Sequence, residues 1–129
     1  MPERDLPEPP AGSSRSILVV EDDPDSADSL ALLLEHWHHR VSVAYQGARA
    51  IEVFRRERPQ VVLIDIGLPD MDGYEVARAL RREDPDALLV ALTGFGDDEH
   101  RVAAESAGFD RQFTKPIDIE KLQRLLAGH

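Results

Sequence analysis

Cysteine is absent from this chain, which excludes disulfides and thiolate metal sites and is compatible with a reducing compartment. Long apolar runs are absent too. None approaches the ~20 residues that a membrane-spanning helix needs, and the N-terminus lacks the charged-then-apolar pattern of a secretory signal. The chain therefore reads as soluble and cytoplasmic. Positive charge is scarce: 15 Lys and Arg stand against 25 Asp and Glu, a net charge of −10. Glu3, Asp5, Glu8, Arg4 and Arg15 sum to −1, so about −9 falls on the remainder. This balance argues against nucleic acid or anionic membrane as a partner, because phosphate contacts need clustered Lys and Arg. Solubility alone is enough to explain an acidic surface. No long exposed apolar seam is evident, which favours a monomer.

A length of 129 residues suits one domain with a sufficient core. Residues 1–15 hold Pro2, Pro7, Pro9 and Pro10 followed by Gly12, Ser13 and Ser14, the composition of a disordered or polyproline-like tail. The domain is expected over residues 16–129. There, short apolar runs alternate with amphipathic stretches. Ile17–Val20, Val61–Ile64 and Leu88–Leu92 read as buried parallel strands, and Val41–Ala44 and Arg111–Thr114 as weaker ones. Leu30, Leu33, Leu34 and Trp37 share one helical face. Ala50, Ile51, Val53 and Phe54 mark a second helix, and Val76, Ala77 and Leu80 a third. Val102, Ala103 and Ala107 mark a fourth, and Ile119, Leu122, Leu125 and Leu126 a fifth. Asp23-Pro24 opens the first helix as cap and first-turn proline. Asp97, Asp98 and Glu99 suit the positive end of the fourth, and Gly108 its left-handed close. Strict alternation implies an α/β fold, a parallel sheet with helices on both faces.

In such a sheet, ligands bind beyond the carboxyl ends of the strands. Those ends carry Glu21, Asp22 and Asp23, then Asp65, then Thr93, then Lys115-Pro116. Oxygen ligands from Glu21, Asp22 and Asp65, completed by water, suit a hard octahedral cation such as Mg2+. Three carboxylates and one lysine leave two excess negative charges, which a divalent ion balances. Asp65 can then act as a nucleophile on phosphorus, with the ion and Lys115 neutralising the equatorial oxygens and Thr93 donating a hydrogen bond. Taken singly, each has a plainer role: Glu21 and Asp22 as solvated residues before a helix, Thr93 as a cap, Lys115 as a surface lysine. Their joint occurrence at successive strand ends is the signal.

Four segments, ILVVEDDPD (17–25), LIDIGLPDMDGYEVARALR (63–81), ALTGFG (91–96) and AGFDRQFTKPID (107–118), resemble the response-regulator receiver domain of two-component signalling. The resemblance covers about residues 16–127. It implies a flavodoxin-like (βα)5 sandwich with strand order 2-1-3-4-5, and Asp65 as phosphoacceptor supplied by a histidine kinase or histidine phosphotransfer protein. It implies Mg2+ ligands from Glu21, Asp22, Asp65 and the backbone carbonyl of Gly67, and phosphoryl contacts from Thr93 and Lys115. It also implies a cis Lys115-Pro116 bond that aims the lysine inward. Two positions depart from the pattern. Gln112 stands where many relatives place a switch aromatic that moves with Thr93, an exchange similar to receivers of hybrid kinases in phosphorelays. His38 stands where the first helix of relatives closes on Gly; a left-handed His costs on the order of 1 kcal/mol relative to Gly.

Several functions compete. The first is a phosphorylation-controlled module that switches protein–protein contacts with a downstream target, through the face of the fourth helix, fifth strand and fifth helix. No DNA-binding or catalytic output domain is expected after residue 127, so the output is expected to be protein–protein contact. A dehalogenase-type phosphatase also uses an Asp nucleophile and Mg2+, but needs a second Asp where Gly67 stands, so no enzyme is expected. A phosphorylation-independent scaffold would not need the complete acidic set. No G-x-G-x-x-G follows the first strand, against a dinucleotide site. His36 and His39, three apart on a helix, could share a zinc ion, but no third ligand is evident; Trp37 reads as core.

Overall fold

The computed structural model describes residues 14–94 and 106–128. Strands β1 (Ser16–Val20), β2 (Arg40–Ala44), β3 (Val61–Asp65), β4 (Leu88–Thr93) and β5 (Arg111–Thr114) run with helices α1 (Pro24–His36), α2 (Gly47–Glu57), α3 (Gly73–Glu83) and α4 (Ile119–Gly128). Helix α4 is the fifth helix of the sequence reading. Of the fourth, Val102 and Ala103 with the acidic start Asp97, Asp98 and Glu99 lie outside the described residues. All strand pairs are parallel, in the order β2-β1-β3-β4-β5. The flavodoxin-like order implied by the resemblance is the observed one. No helix is long and apolar enough to cross a membrane among the described residues.

The uniformly apolar strands follow from burial on both faces. Successive side chains alternate across the sheet, so each strand feeds two cores. Leu18, Val20, Val62, Ile64, Leu89 and Ala91 pack with Val53, Phe54, Val76 and Leu80 of α2 and α3. Ile17, Val19, Val61, Leu63, Val90 and Leu92 pack with Leu34, Trp37, Leu122 and Leu126 on the side of α1 and α4. Fully burying a side chain such as Phe54 is worth about 1.5–3 kcal/mol. Ile119 departs from the expected stripe and is exposed, because α4 first meets the sheet one turn later, at Leu122.

The helix ends explain how the chain turns toward each strand. Asp23 accepts a hydrogen bond from the Ser26 hydroxyl at 2.7 Å, with Pro24 opening the helix. At the other end His38 has φ 71°. Its N–H bonds the Glu35 carbonyl at 2.8 Å and the His39 N–H bonds the Leu34 carbonyl at 3.1 Å. These two bonds form a complete Schellman motif with His in the left-handed position usually held by Gly. The expected strained close of α1 is therefore present. Arg58 closes α2 at φ 50°, and Gly108 takes φ 104° as expected. Arg15, at the edge of the expected tail, donates from its backbone to His39 Nδ1 at 3.0 Å and from Nε to the Leu126 carbonyl at 2.7 Å.

Candidate functional site

The chain runs outward from β1 to β2 and then returns to β3 on the other side of β1, so the strand order reverses between β1 and β3. Carboxylates flank this switch point, where open α/β sheets place their ligands. Glu21 follows β1 and extends its pairing, donating its N–H to the Ala44 carbonyl at 3.1 Å. Asp65 closes β3 opposite Leu92, and the Ile66 N–H holds the Leu92 carbonyl at 3.1 Å. Thr93 ends β4, buried, with Oγ1 donating to the Phe113 carbonyl at 3.4 Å. Lys115 is fastened to the same strand end by its N–H on the Thr93 carbonyl at 2.7 Å, and its bond to Pro116 is cis.

From there the Lys115 side chain crosses the rim of the sheet. Its Nζ lies 2.6 Å from Glu21 Oε1 and 3.3 Å from Asp65 Oδ2. One oxygen from each of Glu21, Asp22 and Asp65 lies within 4.8 Å of the others. This is the only such group of His, Cys, Asp or Glu among the described residues. Glu21 is buried, Asp65 half-buried and Asp22 exposed. Burial pushes the Glu21 carboxyl above its ordinary value; the Lys115 bond opposes this, and the Asp65 carboxylate adds to it. Burial works to lower the Lys115 ammonium, but the Glu21 bond and the Asp65 charge outweigh it, so the net shift is upward. The donor set is oxygen alone, and one ammonium pairs with two of the three acids. That chemistry fits a hard divalent cation such as Mg2+.

The loop from Asp65 to Gly73 is held at both ends. The Gly67 N–H bonds Asp65 Oδ1 at 3.0 Å, and the Gly73 N–H bonds the Ile66 carbonyl at 3.2 Å. Asp72 and Glu75 form a capping box that starts α3. Gly73 must lack a side chain, since a Cβ there would stand 2.7 Å from Ile66 Cα and 2.9 Å from the Asp65 carbonyl oxygen. The Asp70 carboxylate reaches α2, accepting the N–H groups of Gly47 at 2.8 Å and Ala48 at 3.1 Å. Asp70 and Gly73 lie inside the segment at residues 63–81, but the sequence alone assigns neither a role. Asp70 bonds residues 23 and 22 positions away, a link that no local pattern shows.

Gln112 lies on β5 opposite Ala91. Its side-chain oxygen is buried without a hydrogen-bond partner among the described residues. The histidine pair does not form a metal site: His36 is exposed, whereas His39 is buried with Nδ1 bonded to the Arg15 backbone. Helix α1 ends at His36 and the chain turns at the left-handed His38 before His39, which gives the two rings different surroundings. Trp37 is core, as expected. A cavity of about 690 Å³ lies at the opposite end of the sheet, lined by Ser16, Arg40 and Gln60 among others, away from the acidic rim.

The response regulator receiver domain family matches residues 17–127. The chain is 38% identical over 111 residues to the probable transcriptional regulatory protein TcrX of Mycobacterium tuberculosis, covering 86% of this chain and 47% of TcrX. It is also 38% identical over 112 residues to an uncharacterized 14.6 kDa protein of Leptolyngbya boryana, covering 85% and 86%. The chain spans about half the length of several transcriptional regulatory proteins that it matches. Among solved structures it superposes on a CheY-like receiver domain protein from Methanospirillum hungatei, with TM-score 0.80 and 29% identity over 88% of this chain and 94% of that one. With a matching sheet order and a family match across nearly the whole folded segment, this chain belongs to the response regulator receiver domain family.

Proposed function

We propose that the domain accepts a phosphoryl group on Asp65 and thereby switches a protein–protein contact. The observation that carries this reading is Lys115 Nζ bridging Glu21 at 2.6 Å and Asp65 at 3.3 Å at the strand-order switch. An Asp65 oxygen forms the new P–O bond while the P–N bond of a phosphohistidine donor breaks. The electron pair leaves with the imidazole, which takes up a proton. Mg2+, when bound by Glu21, Asp22, Asp65 and the Gly67 carbonyl, supplies charge neutralisation at the phosphoryl oxygens. Lys115 is aimed to hold a second point of positive charge, and Thr93 to donate a hydrogen bond.

The donor is a histidine kinase or a histidine phosphotransfer protein. Phosphorylation exchanges the single charge of the Asp65 carboxylate for about two on the phosphoryl oxygens; this changes the balance that holds Lys115 between Glu21 and Asp65, so phosphorylation biases an equilibrium already available to the domain. Gly67 stands where a phosphatase of the dehalogenase type would need its acid/base Asp, which favours signalling over turnover. A scaffold that ignores phosphorylation has no use for a buried Glu21 beside Asp65, since clustered like charges are costly without a cation. The test is incubation of the full chain with acetyl phosphate and Mg2+, read by intact mass. One phosphoryl group on the wild type and none on Asp65→Asn are expected. A labelled Asp65→Asn protein, or an unlabelled folded wild type with every donor tried, overturns the reading.

A further inference from the structure

We propose that Asp70 is a positioning residue for this site: by capping α2 from a distance it holds the loop that carries Asp65 and Gly67 in register. The inference rests on the reading of Asp65 as phosphoacceptor with Mg2+. Helix α2 has no cap of its own, because Gln46 at the capping position makes no side-chain cap bond. The free N–H groups of its first turn need acceptors, and two of them go to the Asp70 carboxylate, at 2.8 Å and 3.1 Å. A Ser or Asp at position 46 would cap the helix more directly. Taking the cap from the loop instead ties the loop to the helix.

The tie falls in the middle of the loop, between the buried Leu68 and Met71, which packs on the same core. Its start is fixed by the Gly67 N–H on Asp65, and its end by the Gly73 N–H on Ile66. Asp70 secures the span between. Packing reinforces the link: Met71 and Val76 press so closely on Gly47 that a Cβ there would lie 2.4 Å from Met71 Cγ. The junction before α2 is fastened in turn to α1, where the Tyr45 hydroxyl donates to Asp28 at 2.8 Å. Side-chain links therefore join α1, the start of α2 with the loop before it, and the loop after β3. Asp70 touches none of the three carboxylates and acts through the Gly67 backbone.

The experiment compares Asp70→Ala and Asp70→Asn with Asp110→Ala in the full chain. Asp110 accepts the Leu89 N–H at 2.9 Å and pairs with Arg81 at 2.7 Å, so its removal costs comparable bonds far from the rim. Mg2+ affinity is read from amide shifts during titration, and the phosphorylation rate from acetyl phosphate at saturating Mg2+. Loss of an outer partner of a metal site lowers affinity on the order of tenfold, and that loss is expected for Asp70→Ala. Asp70→Asn keeps one acceptor oxygen and should fall between; it also carries the test if the Ala variant does not fold. Asp110→Ala should bind Mg2+ like the wild type. A folded Asp70 variant with wild-type affinity and rate overturns the inference and leaves the role of Asp65 standing. An equal loss in Asp110→Ala also overturns it, by showing general destabilisation. A wild type that neither binds Mg2+ nor accepts a phosphoryl group overturns the Asp65 reading, and this inference falls with it.

Discussion

Replacing Gly73 by Ala probes how tightly the acidic rim is built into the backbone. The added Cβ would lie 2.7 Å from Ile66 Cα, 2.9 Å from the Asp65 carbonyl oxygen and 3.2 Å from that of Ile66. Optimal carbon contacts are about 3.5–4.0 Å, so relief requires main chain to move by close to ~1 Å, and no side chain can swing aside. Overpacking of this kind costs about 1–3 kcal/mol. The helix gains at most about 1 kcal/mol from Ala over Gly, and less at its first position. The expected net loss is about 1–2 kcal/mol. Gly47→Ala is the comparison. Its Cβ would meet Met71 Cγ at 2.4 Å and Val76 Cγ2 at 2.9 Å, but an unbranched Met with three rotatable bonds can repack. Its cost should stay below about 1 kcal/mol. Urea unfolding of both variants gives the ranking from the midpoints at common slope. A Gly73→Ala midpoint at the wild-type value, or above that of Gly47→Ala, would refute the steric reasoning.

Further outcomes follow from the same contacts. His38→Gly relieves a residue held at φ 71° while keeping both bonds of the helix close; after the entropy of Gly in the unfolded chain, a gain of about 0.5–1 kcal/mol is expected in urea unfolding, and a lower midpoint would contradict it. The Arg81 guanidinium donates to the carbonyls of Gly108 at 2.6 Å, Ala87 at 2.8 Å and Pro85 at 2.8 Å and pairs with Asp110. Lysine lacks that fork, so Arg81→Lys should lose about 1–3 kcal/mol at roughly one net kcal/mol per bond; an unchanged midpoint would show that the fork adds nothing. Burial, with the Arg15 charge and then His38 adding to it, holds the His39 imidazole below its ordinary 6.5. The unfolded chain therefore takes up a proton there before the folded one does. The His39 contribution should be complete above pH 6.5 and decline as pH falls below it. His39→Asn should flatten that slope in midpoints measured between about pH 7.5 and 5.5, and an unaltered slope would assign it elsewhere.

Much of the architecture was legible because parallel strands buried on both faces must be almost wholly apolar. Val61 to Ile64 admit little else. The rim was legible for a related reason: topology brings the carboxyl ends of such strands to one edge, so Glu21, Asp65, Thr93 and Lys115 are neighbours once the alternation is read. The strand order came from resemblance, since periodicity does not distinguish left from right of β1. What stayed hidden was contact geometry between distant segments. Lys115 reaches Glu21 across 94 positions, and Arg81 and Asp70 bind backbone groups on other elements, for which sequence spacing has no signature. Ile119 misled because a helical stripe says which face is apolar but not where along its length the helix meets the sheet. His38 could be read because the left-handed close of a helix makes a demand on one residue.

The most direct measurement is the position of the acyl phosphate. Protein labelled with acetyl phosphate and Mg2+ is reduced with borohydride, which converts a phosphorylated Asp to homoserine, and its peptides are sequenced by mass spectrometry. Homoserine at position 65, absent when Mg2+ is withheld, is the expected result. Homoserine at Asp22 or another aspartate, a reduced glutamate, or a label carried only by histidine would contradict the account.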